Sequence, residues 1–153
     1  MFSEPLIVSA RLVTEADAPV TRAIASVLAH EIHDHRGGAV HVAEVQSLLS
    51  SAAHHDDRTI VGCIDTVVVG FVQLRWVTLS ETVKLAEVVA YGVLDEARAV
   101  GVGEAMLDLV VAESRANGCT GIDAQALPGE RETKNFFETF GFTARRLVVH
   151  RSL

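Results

Sequence analysis

Apolar residues along the chain follow two rhythms, and the switches between them set out the elements. Leu6-Ile7-Val8-Ser9-Ala10-Arg11-Leu12-Val13 is a run rich in β-branched residues and predicts an opening strand. Val20, Ile24, Val27, Leu28 and Ile32 then recur with the period of a helix face, and Asp17 ahead of Ala18-Pro19 reads as its N-cap with proline in the first turn. The stretch 35–40, with Gly37-Gly38, breaks the pattern. Val42, Val45 and Leu49 predict a short second helix, ended by the polar His54-His55-Asp56-Asp57. Two β-rich runs, 59–64 and 67–77, flank Asp65-Thr66 as a hairpin, and 85–93 completes an antiparallel meander. Met106, Leu107, Val110 and Val111 line one face of a further helix that Asn117-Gly118 stops. A strand over 121–127, a short helix over 131–140 behind Pro128-Gly129, and a last strand over 142–150 behind Gly141 complete the order β-α-α-β-β-β-α-β-α-β.

No linker, repeat or low-complexity tract divides these elements, and 153 residues at 49% hydrophobic suit one domain over 1–153. A chain of this length buries roughly 68–70% of its unfolded surface and holds a core without staples. Cys63 and Cys119 are far apart and form no C-x-x-C pair, so they read as two reduced thiols. A net charge of −7 argues against a nucleic-acid footprint and favours a cationic partner. No apolar run reaches the ~18 residues a membrane span needs, and Met1 to Ala10 carries no cationic leader with an apolar core, so a cytoplasmic protein with no membrane partner is expected.

The candidate chemistry is concentrated in Arg98-Ala99-Val100-Gly101-Val102-Gly103-Glu104, which leads directly into a helix. Glycines without a Cβ let main-chain N–H groups approach an anion, and the helix start adds unpaired N–H groups and the positive end of its dipole. Such a loop suits a pyrophosphate. A dinucleotide fingerprint fits it poorly, because G-x-G-x-x-G lacks its third small residue and seven residues separate Val93 from Gly101. There is no Gly-Lys-Ser/Thr of a P-loop, and a plain tight turn at Gly101 and Gly103 is the bland alternative.

Three segments together resemble the GNAT superfamily of acyl-CoA-dependent N-acetyltransferases. Arg98, Gly101 and Gly103 match its R/Q-x-x-G-x-G/A loop between strand and helix. The strand Ala86-Glu87-Val88-Val89-Ala90-Tyr91-Gly92-Val93 is similar to the one that precedes this loop in histone-type members, and 131–142, with Phe136-Phe137 and Gly141-Phe142, is similar to the family's F-Y-x-x-x-G-F segment. The resemblance implies an α/β (α+β) fold: a mixed, mainly antiparallel sheet of six to seven strands with about four helices. It implies acetyl-CoA as co-substrate and transfer of its acetyl group to a primary amine. It also implies that backbone groups of Tyr91, Gly92 and Val93 bond the pantetheine arm, that Arg98, Ala99, Val100, Gly101, Val102, Gly103 and Glu104 hold the pyrophosphate, that Phe137 lies at the cofactor, and that Glu87 is the general base.

An alkyl amine with a pKa near 10.4 is only ~0.04% free base at pH 7, a deficit of ~4.6 kcal/mol, so a base is needed. Glu87 is that candidate, with a salt-bridged strand carboxylate as its structural alternative. Phe137 stands where relatives carry a tyrosine acid, which leaves water, another group such as Tyr91, or unassisted departure of the thiolate. Ala99 and Val100 replace a glycine and a basic residue common in the family, leaving Arg98 as the loop's one cation. His30, His33 and His35 with Glu31 and Asp34 have no H-E-x-x-H spacing and read as a solvated helix end rather than a metal site. By resemblance the segment between the first two helices lines the acceptor pocket, which nominates His33, His35 and Arg36 for substrate contact. Trp76 reads as core ahead of pocket wall. The expected acceptor is a small cationic molecule. Protein lysines or N-termini, an inactive acyl-CoA-binding module and a nicotinamide-dinucleotide binder are the alternatives, and a homodimer is among the states the resemblance admits.

Overall fold

The computed structural model describes residues 4–50 and 58–153. Its elements are β1 (Val8–Leu12), a 3-10 turn at Glu15–Asp17, α1 (Ala18–Ile32), α2 (Gly38–Ser50), β2 (Thr59–Ile64), β3 (Val67–Thr78), β4 (Lys84–Val93), a 3-10 turn at Asp95–Ala97, α3 (Val102–Ala116), β5 (Gly121–Ala124) and α4 (Arg131–Thr139). The strands form one sheet in chain order, antiparallel from β1 to β4, with β5 parallel to β4 through the α3 crossover. The α/β (α+β) class stands, with five strands among the described residues rather than six or seven.

Alternation along the strands divides the core between the two sheet faces. On one face Ile60, Val72, Leu74, Val88 and Val93 meet Met106, Leu107 and Val110 of α3, together with Phe137 of α4. On the other, Val61, Cys63, Phe71 and Ala90 meet Ile24 and Leu28 of α1. Val27, assigned to the apolar face of α1, is 48% exposed, because α1 touches the sheet along the narrower stripe of Ile24 and Leu28. Trp76 packs against the α3-side core with the Lys84 ammonium 5.9 Å from its ring centre. Cys63 and Cys119 are free thiols. The side chains of Val45 and Leu49, and the helix stop at His54-His55-Asp56-Asp57, lie outside the described residues.

Two expectations are corrected at the ends of elements. Asp17 occupies the N-cap position of α1 but makes no side-chain cap there. Its carboxylate instead takes two hydrogen bonds from Arg11, at 2.6 and 2.9 Å, and one from the Thr14 N–H at 2.7 Å. The Arg11 hydrogen bonds, opposed by burial and aided by Thr14, bring its carboxyl from 3.8 down to about 2. A lowered folded-state value means stability that is present above 3.8 and lost as the pH falls towards about 2. Asp17→Asn is therefore expected to lower unfolding free energy by about 1–2 kcal/mol at neutral pH, with the exposed Arg11 limiting the figure. In urea titrations the gap to the unsubstituted protein should close over that acid range.

The second correction concerns the run 142–150, which forms no strand. Gly141, at φ 88, ends α4, and the Phe142 N–H bonds the Phe137 carbonyl at 3.1 Å. Arg145 ion-pairs with Asp123 of β5, and residues 146–153 then run clear of the sheet, with Leu147 and Val149 each 85% exposed. A β-branched run specifies extended backbone but not the edge it pairs with.

Candidate active site

The site begins at a bulge in β4. Gln73 opposes Ala90 and Leu74 opposes Val88, so Val89 is one residue too many and bends the strand away from its outer neighbour. β5 accompanies β4 only from Leu85↔Gly121 to Val88↔Ala124. Past Val88, the outer edge of β4 from Val89 to Val93 has no strand beside it among the described residues. Its peptide groups face a cleft of about 590 Å³ that runs from Val88 along β4 to the start of α3.

The far end of the cleft is the glycine loop. Gly101, at φ 99, turns the chain into α3, and α3 has no side-chain N-cap. Its first ladder bond is Ala105 N–H to the Gly101 carbonyl at 3.0 Å, so the N–H groups of Val102, Gly103 and Glu104 precede the ladder. Gly103 lies against aromatic rings: a Cβ there would stand 2.5 Å from the Tyr91 hydroxyl and 3.1 Å from Phe136. The loop's cation is spoken for. Arg98 Nε donates to the Val93 carbonyl at 2.9 Å, and its other nitrogens reach Glu31 at 2.8 Å and Asp95 at 3.1 Å. Arg98 is a strut between loop, β4 and α1, and the donors left at this end of the cleft are main-chain N–H groups.

Ala99 sits at φ 63, a left-handed conformation that a Cβ disfavours by roughly 1–2 kcal/mol. Glycine relieves that strain at some cost in unfolded-state entropy, so Ala99→Gly is expected to gain about 0.5–1 kcal/mol and to raise Tm by a few degrees. Calorimetric melting checks this.

Tyr91, Gly92, Val93, Arg98, Ala99, Gly101, Val102, Gly103 and Glu104 all line the cleft, whereas Val100 is 45% exposed and does not. Phe137 is placed in the core instead of at the cleft, 5% exposed and edge-on to Tyr91 at 5.5 Å, and its neighbour Phe136 is the cleft residue, stacked on Tyr91 at 5.1 Å. Burial, and secondarily Glu104, pushes the Tyr91 phenol up to about 12. Of the nominated acceptor contacts, His35 lines the cleft, while His33 pairs with Asp34 at 3.4 Å in solvent and Arg36 is exposed away from it. No group of three or more His, Cys, Asp or Glu converges on a metal position among the described residues.

Glu87 is buried and does not line the cleft. Its Oε2 accepts from Arg75 Nε at 3.0 Å and from Arg75 Nη2 as well, leaving Oε1 without a recorded donor. Across the sheet, Arg75, Glu87 and Asp123 stand in register on β3, β4 and β5, and Arg145 completes the row.

His41 on α2 escaped the sequence reading. It lines the cleft and also a neighbouring cavity of about 340 Å³ between α1, α2 and the sheet, whose other polar residues include Arg22, Ser26 and Gln46. His41 Nδ1 lies 3.8 Å from Glu44, one helical turn on, and the only signal for it in the sequence was this His-x-x-Glu spacing on a predicted helix. Glu31, Glu130 and Glu132 also line the cleft, with Glu31 paired to Arg98 at its loop end and Arg131 on the same lining.

The cleft thus joins an open β4 edge to a helix start without a side-chain cap. The model of the acetyltransferase (GNAT) family matches residues 22–142, and the chain belongs to that family, whose members are acetyl-CoA-dependent acyltransferases. No curated protein sequence matches the chain significantly. Among solved structures it is similar to an aminoglycoside N-acetyltransferase, AAC(6')-Iy, in complex with CoA, at TM-score 0.69 and 17% identity over 99% of both chains. It is also similar to a ribosomal-protein-alanine N-acetyltransferase from Brucella melitensis biovar Abortus 2308, at TM-score 0.71 and 16% identity over 95% of this chain and 100% of that one. A third is an Arabidopsis thaliana protein in complex with the bisubstrate analogue CoA-Ac-MVNAL, at TM-score 0.69 and 18% identity, covering 91% of this chain and 85% of that one. No helix among the described residues is long and apolar enough to cross a membrane.

Proposed function

We propose that this chain moves the acetyl group of acetyl-CoA to the primary amine of a small cationic molecule. The observation that carries the donor half is the pairing of a free β4 edge with an uncapped α3 start along one cleft. Peptide groups between Val89 and Val93, apart from the Val93 carbonyl that Arg98 holds, suit the two amides of pantetheine by strand addition, and the N–H groups of Val102, Gly103 and Glu104 suit the diphosphate. Acetyl-CoA supplies an activated acyl carbon and a thiolate able to leave. The net charge of −7 supports a cationic acceptor, drawn in by its charge.

The acceptor's ammonium must lose a proton before its nitrogen can attack. Glu87 is our assignment for the base, through its Oε1 and one water, because it sits on β4 two residues before the bulge. A second reading gives the role to His41, which the cleft lining favours, because an imidazole is a side chain suited to proton transfer. Tyr91 is a poor acid for the departing thiolate. A phenol near 12 lies some 3–4 units above a thiol near 8.5, so full proton transfer runs uphill by roughly 5 kcal/mol. The thiolate leaves without a protein acid, and Tyr91 holds Phe136 and the loop in place.

Acetyl-CoA incubated with polyamines, amino sugars, amino-acid amides and N-terminal peptides tests the proposal. Thiol release is expected with the small cations and at most a tenth of that rate with peptides. Fastest turnover of a peptide N-terminus or a protein lysine would move the acceptor to a protein. Stabilisation by CoA with no thiol release from any amine would make the chain a binder only.

A further inference from the structure

We infer that the acceptor is a monoamine with an apolar body, seated in the cavity of about 340 Å³ between α1, α2 and the sheet, and that Arg22 at its far end keeps out a second ammonium. The inference rests on the amine acetylation proposed above and adds the acceptor's shape and charge. Leu28, Ile32, His41, Ala90 and Tyr91 line both this cavity and the cleft, so the two spaces meet beside the open stretch of β4. Their outer ends belong to different sides of the sheet. Val102 of the α3 start is part of the core on one face, whereas Phe71 and Ala90 on the cavity wall are part of the core on the other. Glu87 stands on the cavity's side, because its register partner Arg75 alternates with Phe71 and Gln73 along β3 and Gln73 opposes Ala90. A donor laid along the cleft and an amine held in the cavity would meet at β4, with the proposed base on the amine's side.

The lining gives the class of amine. Ala25 and Ala29, one turn apart on α1, leave the space, and Leu28, Ile32, Val42 and Phe71 wall it with hydrocarbon. An aryl or branched alkyl body gains by leaving water for such walls, while the several hydroxyl or amino groups of a sugar or polyamine lose hydration there. The volume is at the small end for ligand pockets, which suits one ring or a short branched chain rather than a peptide. Charge narrows the class further. No Asp or Glu is among the described residues that line the cavity, and Arg22 lines it without reaching the cleft. Along α1, Arg22 is separated from Ile32 by roughly 15 Å at the helical rise, so it stands at the end away from the reacting amine. Arg11, Arg75, Arg98 and Arg145 are each tied to a carboxylate, but Arg22 has no ion pair or hydrogen bond among the described residues. Its guanidinium stands where the second ammonium of a diamine would arrive, and like charges placed together exclude the wrong partner.

Thiol release from acetyl-CoA with phenethylamine, spermidine and glucosamine tests the inference. Phenethylamine is expected to show a kcat/KM about tenfold or more above either of the others. Arg22→Glu should raise kcat/KM for spermidine by about fivefold or more and leave the acetyl-CoA KM unchanged; Arg22 is exposed, so the variant keeps the fold. Ala29→Leu fills the cavity and should raise the phenethylamine KM by about tenfold or more, with coenzyme A affinity by calorimetry reporting that fold and cleft are intact. Should Ala29→Leu fail to fold, Arg22→Glu decides. Spermidine or glucosamine as the better acceptor, a selectivity that Arg22→Glu does not move, or an unchanged phenethylamine KM in folded Ala29→Leu overturns the inference and leaves amine acetylation standing. Coenzyme A binding without thiol release from any amine overturns the acetylation reading and this inference with it.

Discussion

Gly103→Val is expected to abolish measurable acetyl-CoA binding, a loss of at least a hundredfold, while the protein still melts cooperatively. The branched side chain has no room: its Cβ stands 2.5 Å from the Tyr91 hydroxyl and 3.1 Å from Phe136. Overpacking of this kind usually costs about 1–3 kcal/mol of stability, roughly 2–12 °C in a domain of this size. The effect on the ligand is larger, because the strain resolves by pushing Tyr91 and Phe136 into the cleft they line and turning the N–H of residue 103 off its acceptor. Near-unchanged affinity in a folded Gly103→Val protein would mean that the diphosphate does not sit at the α3 start.

The next largest effect concerns the proton. Glu87→Gln should reduce kcat by ~10²–10⁴ at neutral pH and change the acetyl-CoA KM little, the loss typical for a positioned general base. His41→Ala should cost less than tenfold and leave the shape of the pH–rate profile intact. The reverse result, with the profile's acidic limb disappearing in His41→Ala, would transfer the role to the imidazole that lines both cavities. Removing Arg75 separates the two functions of Glu87. Arg75→Met takes away the guanidinium that holds Oε2, so a Glu87 base should lose kcat with the acetyl-CoA KM little changed, whereas a merely structural carboxylate would change only the melting temperature.

Much of this arrangement was legible in the chain because its strongest signals are local. The Arg98–Gly103 spacing, the face formed by Met106, Leu107 and Val110, and the Asp65-Thr66 hairpin each depend on residues within a turn or two of one another, and each stands in the fold where the pattern put it. Properties that depend on distant partners were not legible. Glu87 meets Arg75 only through the β3–β4 register, and no spacing twelve residues apart announces it. Phe136 and Phe137 are adjacent, but roughly 100° apart around α4, so a motif that names the pair cannot tell which ring enters the cleft and which the core. The β-branched run at 142–150 is compatible with extended backbone and carries no signal for an edge to pair with. Ala99 is the opposite case. Its departure from a family glycine is visible in the sequence, and the positive φ gives the departure its energetic meaning.

Titration calorimetry of the pure protein with coenzyme A, alongside a nicotinamide dinucleotide, tests most directly the claim on which the functional reading depends: that the α3 start and the open β4 edge form one binding cleft. Saturable heat with coenzyme A, weakened at least tenfold for the fragment lacking pantetheine and absent for the dinucleotide, is the predicted result. Tight binding of the dinucleotide with no heat from coenzyme A would contradict it.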